Sequence, residues 1–295
     1  MITAFAPAKL NLGLRILERR PDGYHKIETI FVPLRLFDRL EISPTDRPGI
    51  RLDVDASGVP SDASNLAVRA ALETSRALGV EPALAMRLEK RIPVAAGLGG
   101  GSSDAAAAIL AVEALAGASL ADAVRREIAL RLGADVPFFL DPRPAIGRGI
   151  GERLEPIERV PELHWLLVRM PFELSTASVY RKASAELTLP QQGSSIAALL
   201  GPAGVESEPW NDLETIAARR HPEIGQARRA LEVQGAVVTG MSGSGPTVYG
   251  QFETCEAAES AAQRAVFPAG AEAIVTTSPE FGAGNWDWGW GVAKW

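Results

Sequence analysis

Apolar and polar positions alternate with period two through much of the first 55 residues, most clearly over Ile27 to Leu36 and Ile50 to Val54. That period predicts strands. Pro21-Asp-Gly23 is a turn signal between the first of them. From Asn65 to Leu78 the spacing changes, and Leu66, Ala70, Leu72 and Leu78 form the buried face of a predicted helix. Ala83 to Leu88 alternates again and predicts a strand, whereas Ala105 to Leu115 is built almost entirely of strong helix formers. Ser119-Leu-Ala-Asp122 has the form of a capping box for a helix that runs to Leu132 and stops at Gly133. Pro137 cannot continue a helix and pushes Val136 toward extended backbone. Asp135 is therefore expected in a tight connection before an apolar strand, Phe138 to Leu140.

Charged residues flanked by Pro156 and Pro161 shift the composition near Arg153 to Pro161. This places a boundary between residues 1–155 and 156–295. Beyond it the pattern predicts a strand at Leu163 to Arg169 and helices at Ser178 to Leu187, Asp212 to Arg219 and Glu223 to Val233. Then come a strand at Ala236 to Thr239, a glycine loop Gly240 to Gly245, a strand at Thr247 to Phe252, a helix at Cys255 to Ala265 and a strand at Ala271 to Thr277. The expected class is α+β, with no internal repeat.

Composition narrows the function. At 295 residues, 46% hydrophobic and 22% charged, the chain is long enough for one large or two ordinary domains and is not a disordered polymer. A formal charge of −6 argues against a general nucleic-acid binder. Cys255 is the only cysteine, so no intramolecular disulfide forms. His25, His164 and His221 lack metal-ligand spacing, and no uncharged apolar run approaches a membrane span. Charges at Lys9, Arg15, Glu18 and Arg19 interrupt the apolar pattern of the N-terminus, which is not that of a signal peptide. A cytoplasmic protein is the expectation, monomeric or homodimeric.

The richest chemistry lies in Pro93-Val-Ala-Ala-Gly-Leu-Gly-Gly-Gly-Ser-Ser-Asp104, directly before the alanine-rich helix. Gly97, Gly99, Gly100 and Gly101 allow turns that a Cβ would obstruct. The loop amides and the helix N-terminus converge on one point, a natural site for phosphate. The loop lacks the Gly-Lys-Ser/Thr of a Walker A sequence, and Pro93 argues against a dinucleotide fingerprint. Elsewhere, Pro7-Ala-Lys-Leu-Asn-Leu12 puts Lys9 and Asn11 on one side of a strand and Leu10 and Leu12 on the other. An isolated lysine on a strand is ordinarily a surface lysine, but this chain has only five. Lys9 with Asp135 would supply the cation and the carboxylate that phosphoryl transfer uses. Asp22-Gly-Tyr-His25 joins an aromatic face to an imidazole at a turn, a pairing suited to a base or to ordinary hairpin packing. Gly240 to Gly245 is either a plain hairpin loop or a second lining of a phosphate pocket.

Taken in order, Pro7-Ala-Lys9, Pro93 to Ser103 and Met241 to Gly245 resemble the three motifs of the GHMP kinase superfamily, across nearly the whole chain. The hexapeptide Pro7 to Leu12, Arg20-Pro-Asp-Gly-Tyr-His25, Gly97 to Asp104 and Gly133-Ala-Asp-Val-Pro-Phe138 are similar to the branch that acts on a cytidyl diphosphate substrate in non-mevalonate isoprenoid synthesis. The resemblance implies a ribosomal-S5-like N-terminal domain joined to a ferredoxin-like C-terminal domain. It implies ATP with Mg²⁺ as phosphoryl donor and the 2-hydroxyl of the cytidyl substrate as acceptor. Lys9 and Asp135 match the catalytic pair. Pro93, Val94, Ala95, Ala96, Gly97, Leu98, Gly99, Gly100, Gly101, Ser102 and Ser103 match the ATP loop, with Asn65 near adenine. Asn11, Tyr24, His25, Thr176 and Tyr180 match substrate positions, the two tyrosines on either side of cytosine. No direct protein ligand of Mg²⁺ is implied. The alternatives are a homoserine- or mevalonate-type kinase of the same superfamily, or a catalytically inactive sugar- or nucleotide-sensing relative. Gly13 and Ala177 depart from the branch pattern, and the tail from Gly282 to Trp295, with four of the six tryptophans, matches nothing in it.

Overall fold

The computed structural model describes residues 1–186, 196–205, 207–282 and 291–294. In the first half, strands β1 (Ile2–Arg19), β2 (His25–Pro44) and β3 (Gly49–Val54) precede helix α1 (Leu66–Leu78) and strand β4 (Ala83–Glu89). Helices α2 (Gly100–Ala116), α3 (Asp122–Leu132) and the short α4 (Val136–Phe139) follow, then β5 (Ala145–Gly149) and β6 (Arg153–Pro156). The second half contains β7 (Leu163–Arg169), α5 (Thr176–Glu186), β8 (Leu200–Gly201), β9 (Gly204–Val205), α6 (Asp212–Ala218), α7 (Pro222–Val233), β10 (Val238–Met241), β11 (Val248–Phe252), α8 (Cys255–Arg264) and β12 (Glu272–Ser278). A last strand, β13 (Gly291–Lys294), returns to pair antiparallel with the start of β1.

Two sheets stack between helices. The larger runs β13-β1-β2-β4-β3, with β5 and β6 attached beside the N-terminal half of β2. The smaller runs β10-β11-β7-β12 and is antiparallel throughout. In chain order its strands and helices make a β-α-β-β-α-β unit of ferredoxin type. Alternate residues of β7 serve its two faces. Trp165 and Leu167 pack against Leu10, Leu12, Ile30 and Val32 of the larger sheet. Leu166 and Val168 pack with Leu213, Ile224, Leu231 and Ala261 of the helices α6 to α8. The third core lies between the larger sheet and α1 to α4.

A break in β1 positions the site. Ile2, Ala4 and Ala6 face the helical core, whereas Ala8, Leu10 and Leu12 face the second sheet. The pairing with β2 shifts register between Pro7 and Ala8, which exchanges the two faces of the strand. Lys9 and Asn11 consequently point toward the helices, where α2 and α4 begin. A second shift falls at Gly13, which has φ +74°. A Cβ there would lie 2.6 Å from Leu199 Cδ1 and sit on a left-handed backbone, so this departure from the branch pattern suits the bend.

Several local expectations change. Gly100 to Ser103 form the first turn of α2, and the loop proper ends at Gly99, whose φ of +75° makes the left-handed cap. The Ser119 box is not made: α3 starts at Asp122 with Ala121 as its cap and no side-chain bond there. Glu113 takes the backbone N–H of Leu120 at 2.5 Å and holds the chain extended past Ser119. Phe138 to Leu140 is not a strand. Pro137 occupies the first turn of α4, where its missing N–H costs nothing. The strand placed at Ala236 to Thr239 instead runs Val238–Met241 and takes in Gly240. Of the tail, only Gly282 and β13 are described, and Trp286, Trp288 and Trp290 lie outside the described residues. Among the described residues no helix is long and apolar enough to cross a membrane.

Candidate active site

Lys9 is buried, and its Nζ lies at the meeting point of four elements. It donates to Asn11 Oδ1 at 2.5 Å and to the Gly97 carbonyl at 3.2 Å, and it lies 3.3 Å from Asp135 Oδ2. Phe31 supplies an aromatic face 5.6 Å from the ammonium. The backbone N–H of Lys9 donates to the Leu98 carbonyl at 3.0 Å, which fastens the glycine loop to β1. Asn11 is fixed in turn by Thr29, whose Oγ1 accepts from Asn11 Nδ2 at 3.0 Å and donates to the Gly13 carbonyl at 2.6 Å. Asp135 is the cap residue of α4, and a third of its side chain is exposed toward the cleft.

The second glycine loop braces the first. Ser242 Oγ donates to the Gly97 carbonyl at 3.0 Å and accepts from the Asn11 N–H at 3.1 Å. A Cβ on Gly97 would lie 2.6 Å from the Ser242 carbonyl oxygen, and one on Gly243 would lie 2.8 Å from Asn11 Oδ1. Both positions have positive φ. Glycine is needed at Gly97 for the approach of one backbone to another, and at Gly243 for the approach of backbone to the Asn11 side chain.

Two cavities share this loop as a wall. The larger, about 980 Å³, is lined by Lys9, Asn11, Asp135, Tyr24, His25, Thr176 and Tyr180, among others. The smaller, about 370 Å³, is lined by Pro93 through Ser102, by Asn65 and Leu66 at the start of α1, by Val59 and Pro60, and at its floor by Lys90 and Asp104, among others. Gly97 and Gly99 border both. Ser103 does not line the smaller cavity: the residue is buried against the start of β1, beside Ala4 to Pro7, and its Oγ has no partner. Asn65 caps α1, accepting from Ala67 N at 2.9 Å and donating to the Pro60 carbonyl at 2.7 Å, so its amide is largely committed to structure.

At the far end of the larger cavity, His25 stacks on Tyr180 with ring centroids 5.3 Å apart. Its Nε2 lies 2.5 Å from Ser184 Oγ, and that hydroxyl donates its single proton to the Tyr180 carbonyl. With the hydroxyl proton on that carbonyl, Nε2 carries the imidazole proton and Nδ1 is the acceptor. Burial, and secondarily the charge of Arg19, hold His25 below its usual 6.5. Burial, with Asp135 adding to it, pushes the Tyr180 phenol up, so the ring stays neutral. Tyr24 is 59% exposed at the rim. Thr176 Oγ1 and Ser244 Oγ, 2.8 Å apart, join α5 to the second loop.

Residues 65–141 match the family model for the GHMP kinase N-terminal domain, and residues 195–268 match that for the GHMP kinase C-terminal domain. A 4-diphosphocytidyl-2-C-methyl-D-erythritol kinase of Geobacter sulfurreducens is 42% identical over 89% of this chain and 94% of its own length. The chain belongs to the 4-diphosphocytidyl-2-C-methyl-D-erythritol kinase family. The enzyme of that name from Geobacter sp. (strain M21) is also 42% identical, over 87% of this chain and 91% of its own. A crystal structure of 4-(cytidine 5'-diphospho)-2C-methyl-D-erythritol kinase superposes with a TM-score of 0.80 at 38% identity, covering 95% of this chain and 99% of that one.

Within this kinase the fold brings Lys9, Asn11 and Asp135 together and gathers Tyr24, His25, Thr176 and Tyr180 around the same cavity. Sequence reasoning missed Ser242, Thr29 and Ser184, polar residues whose partners lie 231, 18 and 159 positions away. It also missed a buried ion cluster, Asp38, Lys90 and Asp104, beneath the glycine loop. Burial pushes Asp104 above the usual carboxylate range, and the Lys90 ammonium opposes that push.

Proposed function

We propose that this protein transfers the γ-phosphoryl group of ATP to the 2-hydroxyl of 4-diphosphocytidyl-2-C-methyl-D-erythritol, in the cytoplasmic synthesis of isoprenoid precursors. The observation that carries the reading is the shared wall: a glycine loop and helix N-terminus face one cavity, and Lys9 and Asp135 face the other across Gly97 and Gly99. Residues 1–155 supply the loop and the reacting groups. Residues 156–295 supply Tyr180, Thr176 and the second glycine loop.

The ATP phosphates take the amides of the loop and the first turn of α2, where unpaired N–H groups and the helix dipole favour anions. Phosphoryl transfer has a loose transition state, and most of the protein's contribution is placement and charge stabilisation. Lys9, held by Asn11 and Gly97, supplies a fixed cation beside the transferred group. Asp135 accepts the hydrogen bond of the acceptor hydroxyl and aligns its oxygen for attack. The base stacks between Tyr24 and Tyr180, and His25 Nδ1 accepts from an amino group on its edge. Among the described residues no cluster of three or more His, Cys, Asp or Glu could hold a metal. A Mg²⁺ carried by the nucleotide would be held by phosphate oxygens and water, with the Ser102 hydroxyl as a protein oxygen in the lining of the smaller cavity. When bound, the ion neutralises charge on the phosphate oxygens.

The test is ADP release from ATP with the cytidyl substrate, with homoserine, with mevalonate, and with no acceptor. Turnover restricted to the cytidyl substrate is expected. Equal turnover with either small acceptor, or none with the cytidyl one, refutes the assignment.

A further inference from the structure

The glycine loop is fastened at its tip by Lys9, Ser242 and Thr247, whose groups bond to the carbonyls of Leu98, Gly97 and Ala96. Its base is fastened differently. Asp38, fully buried on β2, accepts the backbone N–H groups of Arg91 at 2.6 Å and Ile92 at 2.8 Å, the residues that lead into the loop. Asp104 lies one turn into α2, just past the loop's exit. The Lys90 ammonium bridges the two, bonding to Asp38 Oδ2 and, at 2.7 Å, to Asp104 Oδ2. All three side chains are at most 6% exposed. Asp104 Oδ1 is buried without a hydrogen-bond partner, so Lys90 is what holds this carboxylate in place. The ammonium sits under the first turn of α2: a Cβ on Gly100 would come within 3.2 Å of Nζ and 3.1 Å of Ile92.

We propose that Lys90 is a positioning residue for the nucleotide, an ionic staple that ties the entrance of the phosphate loop to its exit and so sets the spacing of the loop amides from the α2 N-terminus. The cluster offers no acceptor chemistry of its own. It holds one ammonium between two carboxylates, and a buried arrangement of that kind contributes specificity of geometry more than stability. Between the ends it ties, the backbone takes left-handed angles at Ala95, Gly97 and Gly99. Such a path persists only where the surroundings determine it. The inference rests on the assignment of this loop to ATP phosphates.

The full-length protein is tested as wild type, Lys90→Met, Asp104→Asn and the double variant. Affinity for a non-hydrolysable ATP analogue, affinity for the cytidyl substrate, kcat and Tm are measured for each. Misplaced loop amides weaken the analogue about tenfold or more in Lys90→Met and several-fold in Asp104→Asn, with cytidyl affinity within about twofold of wild type. A through-space charge effect would move the two single variants in opposite directions, because one loses a cation and the other an anion. The staple weakens both. In the double variant one of the two carboxylates that Lys90 pairs is gone and the other, Asp38, keeps its two backbone N–H donors, so Tm recovers in part relative to Lys90→Met while analogue affinity stays low. If Lys90→Met does not fold, Asp104→Asn and the double variant decide. Analogue affinity that returns with Tm, that stays at the wild-type value in folded variants, or that rises in Asp104→Asn overturns the staple alone. Failure of the wild type to bind the analogue overturns the assignment of the loop, and the staple with it.

Discussion

Gly97→Ala separates the cost of a left-handed backbone from the cost of pushing two loops apart. Gly97 has φ +77°, and Gly117, at the opposite end of α2, has φ +65°. A Cβ at either site carries the left-handed penalty of roughly 1–2 kcal/mol. At Gly117 nothing lies within 4 Å, so that is the whole effect. At Gly97 the new carbon would lie 2.6 Å from the Ser242 carbonyl oxygen and 2.9 Å from that of Gly245, well inside the 3.4 Å at which ordinary contact begins. Both obstacles are backbone, so the loops must separate. The Gly97 carbonyl then loses the Lys9 ammonium and the Ser242 hydroxyl. A charged and a neutral hydrogen bond together are worth roughly 2–4 kcal/mol. With Lys9 acting on the transition state as proposed, that loss appears in kcat/KM as about 30- to 10³-fold. Steady-state ADP release and thermal unfolding of the two variants make the comparison. Gly117→Ala should lose roughly 1–2 kcal/mol of stability and keep its activity. Wild-type kcat/KM in folded Gly97→Ala, or equal losses in both variants, would refute the argument that contact between the glycine loops holds Lys9.

Three further outcomes are expected. Asp135→Asn should lower turnover roughly 10²- to 10⁴-fold while ATP still binds, and Lys9→Ala should lower kcat far more than it raises the KM for ATP; near-normal kcat in either purified variant removes that residue from the mechanism. Tyr24→Ala and Tyr180→Ala should each weaken cytidyl-substrate binding by roughly 1–3 kcal/mol in calorimetric titration and leave ATP affinity nearly unchanged, and unchanged cytidyl affinity in both would place the base elsewhere. His25 is held below 6.5 by burial and by Arg19, so the neutral ring persists above pH 6.5 and its contribution to folding and to base binding is lost as pH falls through its lowered folded value; Arg19→Gln should shift that loss to higher pH, and a profile that stays in place or moves down would contradict the assignment.

Local chemistry carried much of the site into the sequence. Lys9 and Asn11 share a strand face because side chains alternate, and the glycines before α2 announce a loop that other residues cannot make. Asp22 to His25 and the Asp135 segment are likewise contiguous and legible. The elements follow from periodicity, because the solvent boundary imposes period two on strands and 3.6 on helices. Boundaries were less legible where a distant group intervened: Glu113 holds Leu120 and delays α3, and Pro137 enters a helix because the first turn needs no N–H from it. What only the tertiary structure decided was which face does what. The register shift at Pro7 and Ala8 turns Lys9 from one layer to the other, and no local pattern encodes a strand that changes sides. Ser242, Ser184 and Asp38 are ordinary polar residues in the sequence; their roles come from partners 145, 159 and 52 residues away. A hydrogen bond or ion pair in a buried site depends on two groups and on the water excluded around them, and that exclusion exists only once the sheets have packed.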